Sequence, residues 1–405
     1  MGEQKRQVVI TGMGSISSLG YSPDEVWQSY LRRESFLRPV DFNGEKTAVA
    51  KLPKPSEDIV KSIRLEEPIH QHLDRSVLMA MHCAREAVGR AGWDKSGESL
   101  KTGVNIGSSR GATTILEEFH AAYLQDPTHR VFPLTSPTTT LGNVSSSVAH
   151  DISADGPAIS HSVTCSTALH AVFNGVAWMK AGLSDRFVVG GVEAPLTGFT
   201  IAQMKALRIY TNDTTAEYPS RPCSAEKPLR DTMALGEGGA VFAIENLQHE
   251  ELTERKKSIL GIIESFGYGI ESPATATSIT EDGAALKTAM EMALKGTDRE
   301  NPVDLIILHA PGTVKGDRSE LNAVKAVFGS ELPVLASNKW FVGHTFGASA
   351  ALSLEYALLI LAEDDYADFP YPVSFENRRR PIRKIMINAA GFGGNAASLI
   401  VSKPS

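Results

Sequence analysis

The stretch SVTCSTALHAVFNGVAWMKAGLSDRFVVGGVEAP, Ser162–Pro195, holds a lone cysteine, a helical pattern and a strand pattern in succession. Cys165 stands between Thr164 and Ser166. The segment behind it carries Ala168, Ala171, Gly175 and Ala177, small enough for burial at a close-packed interface. RFVVGGVEA (Arg186–Ala194) then reads as a buried strand. A helix N-terminus carries partial positive charge and unpaired N–H groups, which stabilise a thiolate and can receive an oxyanion. An inert, packed thiol fits the same residues equally well.

The same alternation extends in both directions. QVVITGMG (Gln7–Gly14) is a β-branched strand ending in glycines, and Ser22 with Pro23 reads as the N-cap and first residue of a helix. Leu73–Ala91 has helical periodicity closed by Gly92; TGVNIGSS (Thr102–Ser109) and GGAVFAIENL (Gly238–Leu247) read as strands. In the second half, GIIESFGYG, VDLIILHAPGT and LPVLASNK read as strands. SELNAVKAVFG and GASAALSLEYALLILAE read as helices, and KIMINAAGFGGNAASLIV as a final strand–turn–strand. Strands alternating with helices predict an α/β protein with mainly parallel sheets. Each half runs strand, reactive-looking turn, small-residue helix. The expectation is a duplicated α/β unit joined in the charged stretch Leu247–Ser258, giving halves 1–250 and 251–405. The opening TGMGSISSLG does not make a dinucleotide site, because Ser17 stands where a third glycine is required; a glycine turn after a central strand is the better reading.

Composition narrows the function. The chain has 405 residues, 42% hydrophobic and 21% charged, with net charge −7. That balance argues against wholesale nucleic-acid binding, so contact with an acidic partner needs a local basic patch. Cys83, Cys165 and Cys223 are too few and too scattered for a disulfide framework or a zinc site, which predicts a reducing, cytoplasmic setting. The charged first residues and short VVI run give no secretory leader. No membrane span is expected, since ALSLEYALLILA is short and interrupted by Glu355.

Two further stretches carry chemistry. SNKWFVGHTFGASA places His344 after a strand and just ahead of a helix, with Lys339 five residues earlier. A histidine at such a turn can exchange a proton with a thiol. AAGFGGNAAS (Ala389–Ser398) puts Phe392 in a glycine turn able to offer a backbone N–H to an oxyanion.

Taken together, VVITGMGSISSLG, VTCSTALHA, VVGGVEAP, SRPCSAEKPLRDTMALGEGGAV, PGTVKGDRSE, SNKWFVGHTFGAS and NAAGFGG resemble the elongating β-ketoacyl-acyl carrier protein synthases of the thiolase superfamily over nearly the whole chain. The resemblance implies a thiolase-like fold of two duplicated α/β halves in a layered α-β-α-β-α arrangement. It implies Cys165 as acyl-accepting nucleophile, with its own N–H and that of Phe392 as oxyanion hole. His344 would stabilise the enolate formed on decarboxylation, Lys339 would orient the site, Glu320 would brace it, Phe392 would gate the acyl pocket, and Thr313 would hold the pantetheine arm. The GFGG turn and the lysine turn favour the carrier-protein type over a thiolase.

The family has a second histidine immediately before the Gly-Thr of PGTVKGD; here that position is Pro311, which has no imidazole and no N–H. His309 lies two residues upstream. Alternation points it to the same face, but about 6–7 Å back along the strand, too far to replace the missing ring in full. Val314 and Lys315 replace hydroxyl residues, and Ala389 and Ala390 replace a serine and a phenylalanine, a change that widens the cavity near the gate. Related three-carbon-starter synthases use one histidine with one asparagine, so one imidazole is compatible with activity. The retained cysteine favours an acyltransferase that condenses a Cys165-bound acyl chain with malonyl carrier in fatty acid, polyene or polyketide synthesis. The alternatives are a chain-length-factor-like subunit paired with an active ketosynthase, and a scaffold that only binds acyl chains. The implied partners are an acyl carrier protein and a homodimeric or heterodimeric ketosynthase-like subunit. No cofactor or metal is bound; phosphopantetheine arrives on the carrier. Lys61, Arg64, Lys205 and Arg208 are candidate carrier-docking charges. The basic run NRRRPIRK (Asn377–Lys384) reads as a solvated face.

Overall fold

The computed structural model describes residues 6–93, 100–128, 130–272, 275, 278–297 and 301–404. Its strands are β1 (Gln7–Ser17), β2 (Arg38–Phe42), β3 (Glu45–Ala50), β4 (Thr102–Gly107), β5 (Ala158–Ile159), β6 (Arg186–Glu193), β7 (Leu235–Gly236), β8 (Gly238–Leu247), β9 (Gly261–Ile270), β10 (Leu305–Ile307), β11 (Val334–Ala336), β12 (Lys384–Gly391) and β13 (Asn395–Ser402). The main sheet runs β11-β10-β12-β13-β9-β1-β8-β6-β4-β5, and β2-β3-β7 form a small second sheet.

The main sheet is a repeat. From β1 outward, β8, β6, β4 and β5 are joined by antiparallel, antiparallel, parallel and parallel pairings. From β9 outward, β13, β12, β10 and β11 follow the same four pairings. The two sets meet where Val8–Ile10 pair with Gly261–Ile263. The expectation of mainly parallel sheets is therefore corrected: antiparallel pairings are in the majority. Continuous apolar runs such as RFVVGGVE are buried on both faces whichever way their neighbours run, so hydrophobicity did not report direction.

Helices complete the layers. The Arg75–Ala91 helix covers β1, β8 and β6, and the Ala284–Lys295 helix covers β9, β13 and β12. Between the halves, the Thr167–Lys180 and Ser349–Glu363 helices pack on each other and on strands of both sets. Leu169, Val172, Val176, Leu352, Leu358 and Tyr356 share one buried core there. The apolar stretch Phe346–Glu363 spans 18 residues with mean hydropathy 1.4, long enough to cross a bilayer, yet 89% of it is buried inside the protein. It exceeds the short span expected from sequence, and it is a core helix.

Ser22 caps the Pro23–Arg32 helix by accepting from Glu25 N–H. The opening glycines are not in a turn. Gly12 and Gly14 lie within β1, where a Cβ would come within 2.0 Å of Ala87 O and 2.2 Å of Cys83 O. The strand needs them so that the Arg75–Ala91 helix can lie flat on it. The Leu247–Ser258 connection contains a short helix, His249–Glu254, with a capping box at Gln248 and Glu251.

Candidate active site

Thr164 has φ +50, a left-handed conformation that a β-branched residue rarely adopts. It turns the chain sharply just before Cys165, two residues ahead of the Thr167–Lys180 helix. Thr167 holds this elbow: its hydroxyl accepts from Val163 N–H (2.8 Å) and donates to Thr164 O (2.5 Å). The β12–β13 hairpin lies against it. A Cβ on Gly391 would fall 1.9 Å from Thr164 Oγ1 and 3.0 Å from Cys165 N, and Thr164 Oγ1 donates to Phe392 O (3.2 Å). The backbones of Cys165 and Phe392 are thus neighbours, with Phe392 37% exposed.

His344 arrives from the other half, five residues before the Ser349–Glu363 helix. Gly343 (φ +68) makes the turn. His344 N–H donates to Ala234 O (2.7 Å), and Gly236 N–H donates to His344 O (3.2 Å). So fixed, His344 Nε2 lies 3.1 Å from Cys165 Sγ. Two central helices starting at the same place bring the pair together.

Burial dominates the electrostatics. It pushes the Cys165 thiol up to about 12, with Lys339 opposing. Burial, then Lys339, pushes His344 down to about 3. Burial thus favours the uncharged thiol and imidazole over the ion pair, against the thiolate-stabilising effect of the helix N-terminus. Lys339 opens a one-turn helix, Lys339–Val342, and is itself pushed down to about 8 by burial, against the pull of Glu320 and Cys165.

His309 stands beside His344. The chain leaves β10 at Ile307, and the His309 and His344 ring centroids stand 5.3 Å apart, edge to face at 84°. Both rings line a cavity of ≈ 600 Å³ with Cys165, Phe392, Thr313 and Pro311. Glu320 accepts from His309 N (2.9 Å), Ala310 N (2.7 Å) and Asn388 Nδ2 (3.1 Å), fixing the loop's first residues. Thr313 caps the Val314–Phe328 helix, its hydroxyl accepting from Gly316 N (3.2 Å), which leaves the hydroxyl proton free to donate into the cavity. Ala390 lines the cavity while Ala389 faces the core.

Arg208 and Lys315 stand at the cavity with Asp231 and Glu271. The other docking candidates are placed differently. Lys205 Nζ is paired with Glu45 (2.7 Å) and Thr47 Oγ1 (2.7 Å). Arg64 donates to Gln71 O and Leu73 O (both 3.1 Å), and neither it nor Lys61 lines the cavity. The basic run is only partly a solvated face: Lys384 is buried and pairs with Glu264 (2.7 Å).

Sequence reasoning missed two buried carboxylates. Glu193, at the end of β6, accepts from Ser108 Oγ, Ser109 N and Oγ, Arg110 N and Gly347 N, between 2.6 and 3.0 Å. Asp317 accepts from Cys223 N, Gly312 N and Thr313 N. An acidic residue closing an apolar strand was the available signal for Glu193.

Residues 5–250 match Beta-ketoacyl synthase, N-terminal domain, and residues 260–368 match Beta-ketoacyl synthase, C-terminal domain. A 3-oxoacyl-[acyl-carrier-protein] synthase 2 from Coxiella burnetii is 28% identical over 99% of both chains, and one from Rhizobium meliloti is 29% identical over 98% of this chain and 99% of its own. A ketosynthase solved with a type II polyketide acyl-carrier protein superposes with a TM-score of 0.84 at 21% identity, over 98% of this chain and 100% of that one. That likeness establishes the fold.

Proposed function

The chain belongs to the β-ketoacyl synthase family, and from that premise we propose that it is a 3-oxoacyl-carrier-protein synthase acting through Cys165. The observation that carries this reading is the 3.1 Å contact between Cys165 Sγ and His344 Nε2 inside a shared cavity. An acyl carrier protein presents its phosphopantetheine thioester there. Cys165 Sγ attacks the acyl carbonyl, its proton passes to His344 Nε2, and that proton leaves with the pantetheine sulfur. The N–H groups of Cys165 and Phe392 receive the oxyanion. Malonyl carrier then loses carbon dioxide, and its enolate attacks the Cys165 thioester.

His344 serves both half-reactions. Its Nδ1 has no hydrogen-bond partner among the described residues. Neither tautomer is locked, so Nε2 accepts from the thiol first and donates to the enolate oxygen later. Thr313 donates to the pantetheine arm, Lys339 supplies the local positive field, Glu320 braces the His309 loop, and Phe392 covers the acyl pocket. Arg208, one of the four charges expected from sequence, forms with Lys315 the basic rim for the acidic carrier. The protein works in the cytoplasm as a ketosynthase-like dimer, with the nucleophile in a half spanning 1–250 and the lysine–histidine turn in 251–405.

Incubation with an acyl carrier protein tests this. The expected result is a mass increase of one acyl group on Cys165, lost in Cys165→Ala, and slower by about tenfold at limiting carrier in Arg208→Glu. An unmodified Cys165 in the unsubstituted protein overturns the proposal.

A further inference from the structure

Pro311 leaves the malonyl half-reaction one ring donor short, and His309 supplies an imidazole by another route. Resting on the reading of Cys165 and His344 above, we propose that His309 is a catalytic residue that donates a ring N–H, together with His344, to the thioester oxygen of the malonyl group as it decarboxylates.

Four observations converge. His309 lines the same cavity as Cys165 and His344. Its ring meets that of His344 edge to face at 5.3 Å, so the two imidazoles are adjacent on one wall of that cavity. No protein group among the described residues hydrogen-bonds its ring; Glu320 is bonded by the backbone N–H, so the ring nitrogens remain available to a ligand. Glu320 also holds Ala310 N–H, so the backbone that carries the ring is fixed by two buried bonds to a carboxylate. Burial, then Lys339 and His344, holds His309 well below the ordinary imidazole range, which keeps it a neutral donor.

The step balances. The bond between the malonyl carboxylate carbon and its methylene breaks, and carbon dioxide leaves. The electron pair enters the enolate, whose oxygen accepts from His309 and His344. The enolate carbon attacks the acyl carbonyl on Cys165, a C–C bond forms, the C–S bond breaks, and one solvent proton returns to the sulfur through His344.

The test is carbon dioxide release from malonyl carrier protein, measured beside acylation of Cys165. In His309→Ala, release is expected to fall on the order of 10²-fold, the loss typical of one transition-state donor, while Cys165 still takes an acyl group. In His309→Asn combined with Pro311→His, which moves the imidazole two residues along the chain, at least about tenfold of that loss returns. Release from His309→Ala within about threefold of the unsubstituted rate overturns the inference and leaves the parent reading intact. Absent acylation in the unsubstituted protein overturns both. Should His309→Ala not fold, His309→Gln, which keeps a side-chain N–H, decides the point: release retained well above background supports the donor role, and release that is lost contradicts it.

Discussion

At the scale of the residue, the proposed active centre is a set of groups held away from their solution charge. Burial holds the Cys165 thiol up and the His309 and His344 imidazoles down, and Lys339, the cation in this set, lowers all three. Because Lys339 is pushed down to about 8, its ammonium is present below pH 8 and is lost as pH rises through that value. With Cys165 already acylated, the thiol no longer titrates. Acylation also removes the Cys165 contribution that raises the ammonium, so condensation is expected to fall by about tenfold per pH unit above a single-group limb at or below 8. Lys339→Arg, whose guanidinium stays charged, moves that limb above pH 9. A limb that stays in place in Lys339→Arg assigns it to another group. A sequence shows which residues are titratable but not how deeply each is buried, so the burial that favours an uncharged thiol and imidazole was not legible in advance.

At the scale of the element, the site depends on turns that are tied by carboxylates. Glu193 binds the Ser108–Arg110 turn to Gly347, three residues from His344, through neutral N–H and O–H donors. Glutamine would turn a donor toward donors. Glu193→Gln is expected to lower unfolding free energy by about 3 kcal/mol in denaturant titration and to slow Cys165 acylation through displacement of the His344 turn. A change below about 0.5 kcal/mol, with acylation intact, would show that the clamp is not structural. The elements themselves were largely legible: the Ser22 cap, the Gly92 stop and the final hairpin stand where the residues put them. The start of the Val314–Phe328 helix was missed because its N-cap, Thr313, follows Pro-Gly and had been read as the end of a strand. His309 likewise lies beyond the last residue of β10, so strand pitch does not set its distance from the Pro311 position.

At the scale of the whole molecule, duplication explains the chemistry. Two sets of five strands with one order and one pattern of pairing each deliver a central helix, and the two helices start side by side. One start carries the sulfur and the other the imidazole, so neither half holds a complete centre. The repeat was visible as a rhythm of strand, turn and small-residue helix, whereas the pairing directions and the edge-to-edge join of β1 with β9 required coordinates, because they depend on partners distant in sequence. The most direct measurement of the central claim is a single turnover: protein acylated on Cys165 is mixed with malonyl carrier protein, and both protein and carrier are weighed by mass spectrometry. The account predicts that Cys165 returns to the free thiol while the carrier gains the acyl group and loses one carbon dioxide. An acyl group that stays on Cys165, with the malonyl carrier unchanged, would contradict it.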